Sequence, residues 1–152
     1  MKKMLLNSKP EILDRLAKLT LASPRQFGKM SVHQAVCHMT DAYRLPIGEL
    51  PSLGRGNLLQ RTALKYLVLH VMTNWPPGAK TLPEYDQVLK ETPPPQAFEV
   101  DKAELRSYVE RVAELSSGHP FPTHPIFGVM SHEEWMRWGY QHANHHLRQF
   151  GV

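Results

Sequence analysis

Between Met136 and Phe150, the residues Met136, Gly139, Tyr140, Ala143, Leu147 and Phe150 recur at helical spacing, and the same run carries His142, His145 and His146. A stripe repeating near every 3.6 residues belongs to a helix that is stable only when other elements cover the stripe. The rest of the chain offers helical partners and no segment of strand period. Residues from about Pro10 to Leu21 place Ile12, Leu13, Leu16 and Leu19 on one face, with Pro10 suited to a first turn. Ser31 is a good N-cap for a helix running to about Leu45, with Val32, Ala35, Val36, Met39, Ala42 and Tyr43 as its stripe; Pro46 and Gly48 end it. Leu58 to Met72 reads as a third apolar helix, which suits a core position and a homodimer interface equally well.

Six prolines (Pro76, Pro77, Pro83, Pro93, Pro94 and Pro95) crowd between Trp75 and Phe98. Proline fixes φ and has no N–H, so this segment is neither a regular helix nor a central strand. It reads as an ordered strap across a bundle, with one short turn near Pro83 to Lys90. Asp101 with Glu104 has the capping-box spacing and opens a helix to about Ser117, with Leu105, Tyr108, Val109, Val112 and Leu115 inward and Gly118 as terminator. Ser131 with Glu134 repeats that signal before the last helix. The expected fold is an all-α four-helix bundle with an additional helix, in one domain of 152 residues.

The formal charge of +4 is spread singly among acids, Lys2-Lys3 being the only basic doublet. That distribution lacks the concentrated patch by which nucleic-acid binders attract phosphates. One cysteine, Cys37, leaves no internal disulfide and suits a reducing, cytoplasmic setting. The run Met4-Leu5-Leu6 is too short for a signal peptide, and no apolar run nears the roughly 18 residues of a membrane span.

The chemistry concentrates in histidines. His142 and His146 are four residues apart, hence on one helical face, and a neutral imidazole pair so spaced can grip a divalent transition metal. On the wheel, His146 borders the apolar stripe, with His142 and Trp135 slightly further round the same side. His145 lies nearer the solvent boundary, although His142 with His145 is also a possible pair. Glu133, Arg137, Gln141, Asn144 and Arg148 make the opposite, solvated face.

His38 adjoins the stripe of the second helix and points inward. Asp41, three residues on, and Gln34, four back, are placed to orient its ring, while His33 falls off this line toward solvent. His70, His119, His124 and His132 read as loop or helix-end residues. Trp135 and Trp138 flank the histidine line and suit either a pocket wall or ordinary packing. His132-Glu133-Glu134-Trp135-Met136 lacks the second histidine of a zinc-protease helix, and neither a phosphate loop nor a Gly-x-Ser-x-Gly elbow occurs. Cys37 diverges by about 100° from His38, which leaves it a small hydrophobe rather than half of a catalytic couple.

The pattern His38-x-x-Asp41 with His142-x-x-x-His146-x-x-Gln149 resembles the DinB/YfiT superfamily of bacterial metal-binding four-helix bundles. Phe27-Gly28-Lys29-Met30-Ser31, His124-Pro125-Ile126-Phe127-Gly128 and the ending His142 to Gly151 are similar to one branch of it, the domain of unknown function 1569. The resemblance spans essentially the whole chain. It implies a divalent ion, nickel or zinc, on His38, His142 and His146, with Gln149 matching the glutamine after the last ligand and His145 a bystander or hydrogen-bonding neighbour. It also implies homodimers and, from characterised relatives, thiol-dependent transfer or isomerisation of a small electrophilic substrate. A non-enzymatic metal-binding or stress-associated protein, and a structural bundle with a vestigial site, are the rival expectations. The strap from Trp75 to Phe98 departs from the simple bundle.

Overall fold

A computed structural model describes residues 2–79, 82–91 and 93–152. Its helices are α1 (Leu5–Lys18), α2 (Val32–Ile47), a helix over residues 58–71, α3 (Phe98–Ala113) and α4 (His132–Gln149). Helices α1 and α2 each pack against both α3 and α4. The buried faces of all four meet in one core that includes Leu5, Ile12, Leu16, Met39, Tyr43, Leu105, Val109, Trp135, Met136 and Leu147. Among the described residues no strand forms, and only an isolated bridge joins His124 to Gly128. No described helix is long and apolar enough to cross a membrane. The all-helical expectation therefore holds.

Both serine caps sit where expected. Ser31 Oγ accepts from the Gln34 N–H and Gln34 Oε1 from the Ser31 N–H, while Ser131 and Glu134 make the same reciprocal pair. Two other helix starts differ from the sequence reading. Helix α1 begins at Leu5, so Pro10 lies inside it rather than in its first turn. Proline has no N–H to continue the ladder, and the longer helix buries Leu5 completely. Helix α3 begins at Phe98, and Asp101 lies inside it. Phe98 is buried, so the helix extends back to bring it into the core. The Asp101 carboxylate goes to His33 Nε2 at 2.6 Å, and Glu104 goes to Arg44 at 3.1 Å. The helix also stops at Ala113, four residues short of Ser117.

The 58–71 helix is largely π-helical, in the segments Gln60–Leu64 and Leu67–Val71. Only Leu69 is fully buried; Leu58, Leu59, Tyr66 and Val71 are exposed. A core role is therefore confined to a narrow face. Wide π turns are uncommon and often accompany functional sites.

The strap is ordered by short 3₁₀ turns at Pro83–Tyr85 and Gln87–Leu89; its residues 80, 81 and 92 lie outside the described residues. One line of α2 holds it down. Gln34 Nε2 donates to the Gln87 carbonyl (3.2 Å), and the Asp41 carboxylate accepts from Gln87 Nε2 (2.6 Å) and Lys90 Nζ (3.3 Å). The strap thereby fixes the Tyr85 carbonyl over α2.

Candidate metal centre

Helices α2 and α4 bring His38, His142 and His146 together, all buried, with a ligating nitrogen of each within 4.8 Å of the others. The ring centroids are 4.7 to 5.0 Å apart, and His38 Nε2 lies 3.1 Å from His142 Nε2. Nothing else in the described chain assembles so many buried imidazoles. The expected trio is thus a real juxtaposition across about a hundred residues of sequence.

Hydrogen bonds decide which nitrogens point inward. His38 Nδ1 is 2.9 Å from the Tyr85 carbonyl, which can only accept, so the proton sits on Nδ1 and Nε2 carries a lone pair. His146 Nδ1 is 2.9 Å from Gln149 Oε1, whose amide nitrogen in turn donates to the Phe27 carbonyl at 3.0 Å. That amide orientation places the His146 proton on Nδ1 and leaves Nε2 as a lone pair as well. His142 Nδ1 is buried without a partner among the described residues. Two lone pairs and the His142 Nε2 therefore come together; a neutral His142 can donate to only one of them, His38 Nε2 at 3.1 Å, whereas a divalent cation can take all three nitrogens. The residues fit the ion that the donor set implies.

Burial pushes the protonation of His38, His142 and His146 down, steeply for the last two, where neighbouring imidazoles add repulsion. Neutral imidazoles are the metal-binding form. The buried His124 ring is held down to about 3 by desolvation, and His145 is lowered by the same cause. The linkage has a definite sign. An unfolded histidine takes up a proton as pH falls through about 6.5, whereas these folded rings do not, so stability is lost from pH 6.5 downward. Each fully buried ring contributes a slope near 1.4 kcal/mol per pH unit in that window. Chelator-treated protein should therefore lose about ten degrees of Tm or more between pH 6.5 and 5 in thermal melts, and a flat profile would contradict the burial of neutral rings.

The supporting partners differ from those expected. Asp41 and Gln34 were placed to orient His38; in the structure the Tyr85 carbonyl contacts the ring, and Asp41 and Gln34 hold the strap that carries this carbonyl. The signal was present in the line Gln34-His38-Asp41, but its receiver lay some fifty residues away. Gln149 stands against His146 as the resemblance implied. It is locked from behind by Gly28, whose φ of +78° suits glycine and where an added Cβ would lie 2.5 Å from Gln149 Nε2.

His145, expected near solvent, is buried, its ring 6.0 Å from that of Trp75. Gln141 and Asn144, expected on a solvated face, are buried too. The chain after the 58–71 helix folds over them: Gln141 donates to the Met72 carbonyl (2.9 Å) and accepts from the Trp75 indole (3.2 Å), and Asn144 donates to Asn74 (2.8 Å). His33, expected outside, is buried on Asp101 and edge-on to Phe98. Cys37 lies beside that pair, 3.8 Å from the Asp101 carboxylate, and burial with the nearby acids raises its thiol to about 11. It is no nucleophile at neutral pH, and His33, Cys37 and Asp101 link α2 to α3. His119 and His132 hydrogen-bond to the carbonyls of Pro46 and Leu115, as structural histidines do.

A cavity of about 420 Å³ opens onto the trio. The 58–71 helix supplies one wall through Leu64, Leu67 and Val68; Trp75, Tyr85 and the 124–127 loop supply others. Trp138 lines it, stacked on His142 at 5.1 Å, while Trp135 packs behind on Phe121. The 124–127 loop is clamped to residues 55–56 by their N–H groups on the Pro125 carbonyl, with Gly56 too close to the Ile126 carbonyl for any side chain.

No curated protein and no solved structure gives a significant match to this chain. The family model described as Protein of unknown function (DUF1569) matches residues 2–151. Nearly the whole chain, including all three histidines and the glutamine behind them, thus belongs to the DUF1569 family.

Proposed function

We propose that this protein binds one divalent transition ion, nickel or zinc, through Nε2 of His38, His142 and His146, and that it is an enzyme of the thiol-transfer type. The convergence of three Nε2 atoms at the floor of a cavity supports this most directly. Three histidine ligands leave a position open toward the cavity, as catalytic sites require. An ion held there would act as a Lewis acid and lower the pKa of a thiol or water beside it. The chain supplies the rest. Tyr85 and Gln149 fix two rings at their Nδ1 atoms, Trp138 stacks on the third, and the apolar wall keeps water away from a bound electrophile. Kinship with the DinB/YfiT bundles is part of the same reading, supported by His38-x-x-Asp41 on α2 and His142-x-x-x-His146 on α4.

A purely structural or storage role would close the site with protein ligands; the open cavity argues for catalysis. Elemental analysis of purified protein, paired with thiol-consumption assays over several low-molecular-weight thiols and electrophiles, tests both halves. About one ion per chain and at least one metal-dependent turnover are expected. A metal-replete protein inert across the panel would favour the non-enzymatic alternative.

A further inference from the structure

Outside the trio, one other group of side chains among the described residues brings three metal-ligating atoms within 4.8 Å of one another: His33, Cys37 and Asp101. His33 and Cys37 are four residues apart on α2 and so share a face, and Asp101 stands opposite in the first turn of α3. His33 Nε2 lies 2.6 Å from Asp101 Oδ2, and Cys37 Sγ lies 3.8 Å from the same oxygen. Around a tetrahedral zinc ion, nitrogen, oxygen and sulfur ligands sit about 3.3 to 3.6 Å apart. The sulfur is thus nearly in place, and the imidazole and carboxylate need to part by about 0.7 Å. The ring is buried, while the Asp101 side chain keeps 26% of its surface, so water can complete the sphere. Cations on the same two helices have acidic partners: Arg44 with Glu104 and Asp41, at 3.1 and 3.6 Å, and Lys102 with Glu99 at 3.0 Å.

We infer that His33, Cys37 and Asp101 form a second divalent-ion site, fitted to zinc and readily emptied. An imidazole, a thiolate and a carboxylate make a mixed donor set that suits zinc, whereas calcium and magnesium take oxygen ligands. The protons balance simply. A neutral His33 ring moves its one proton to Nδ1 as Nε2 takes the ion, and the thiol proton leaves to solvent. Releasing that proton and giving up the His33–Asp101 hydrogen bond both oppose binding. The site therefore loses its ion on dialysis and fills when the metal is supplied. It shares α2 with the trio but no ligand, so the inference stands whether or not the trio holds an ion.

The test is a titration of dialysed, reduced protein with cobalt(II). A thiolate on cobalt gives an intense near-ultraviolet charge-transfer band that imidazole ligands do not, and Cys37 is the one cysteine of the chain. The band should grow with one equivalent of cobalt per chain, persist in His142→Ala and be displaced by zinc. Cys37→Ser should remove both the band and that equivalent. His33→Ala and Asp101→Asn should each weaken the binding that the band reports at least tenfold, and either serves where the other misfolds. Should neither fold, X-ray absorption of cobalt-loaded His142→Ala must show one sulfur beside imidazole. The inference is overturned by no band at saturating cobalt, by a band of unchanged affinity in a folded His33→Ala or Asp101→Asn variant, or by sulfur without imidazole. A band that appears while the trio takes up no ion would count against the metal reading of the trio alone.

Discussion

His142→Ala should reduce bound zinc or nickel from about one equivalent per chain to less than a tenth in elemental analysis after dialysis. Three-histidine sites distribute their affinity over few bonds. If roughly a third of the 10–16 kcal/mol typical of protein zinc sites is lost, affinity falls by about a thousandfold. The fold should survive. Among the described residues His142 Nδ1 has no partner and Nε2 contacts His38 Nε2 at 3.1 Å, so removing the ring breaks one hydrogen bond within the trio, and the void opens toward an existing cavity. Circular dichroism should therefore stay helical while metal content collapses. Retention of metal by a folded His142→Ala protein would refute the ligand assignment.

Gly28→Ala should weaken metal binding by about 10- to 100-fold from a residue that touches no ligand, the range typical when an outer partner of a metal ligand is disturbed. A Cβ at this position would lie 2.5 Å from Gln149 Nε2. The amide is the end of a flexible side chain and can move aside, but in moving it leaves the Phe27 carbonyl and the His146 Nδ1 proton. The φ of +78° adds a stability cost of about 1–2 kcal/mol for a non-glycine residue. The check is a double-mutant comparison. If the glycine acts through the amide, Gln149→Ala alone should lower affinity similarly, and adding Gly28→Ala should lower it little further, whereas additive losses would separate the two residues.

Much of the site was legible because helical period is a local property. The spacing of Met136, Gly139, Tyr140, Ala143 and Leu147 predicted the buried face of α4, and every one of these residues is buried. The same wheel misplaced Gln141, Asn144 and His145, because an amphipathic reading assigns polar residues to water. Here the segment from Met72 to Trp75 covers them, and it hydrogen-bonds to Gln141 and Asn144 through main chain and side chains. His33 was misjudged for the same reason, since Asp101 lies 68 residues away. The Asp101 capping signal was genuine in spacing and unused in fact, because the carboxylate was taken by that histidine and Phe98 drew the helix start into the core.

The order of residues alone determined that the chain would be helical and where Ser31 and Ser131 would start two of its helices, and with the family resemblance it singled out His38, His142 and His146. These follow from periodicity, caps and spacing, which act over a few residues. Only the tertiary structure decided the chemistry around them. It placed the Tyr85 carbonyl on His38, set Gln149 between His146 and the Phe27-Gly28 turn, and raised an apolar wall over the trio from the 58–71 helix. The physical reason is that hydrogen-bond partners and solvent exclusion depend on which distant segments meet, and no local pattern in the chain encodes that.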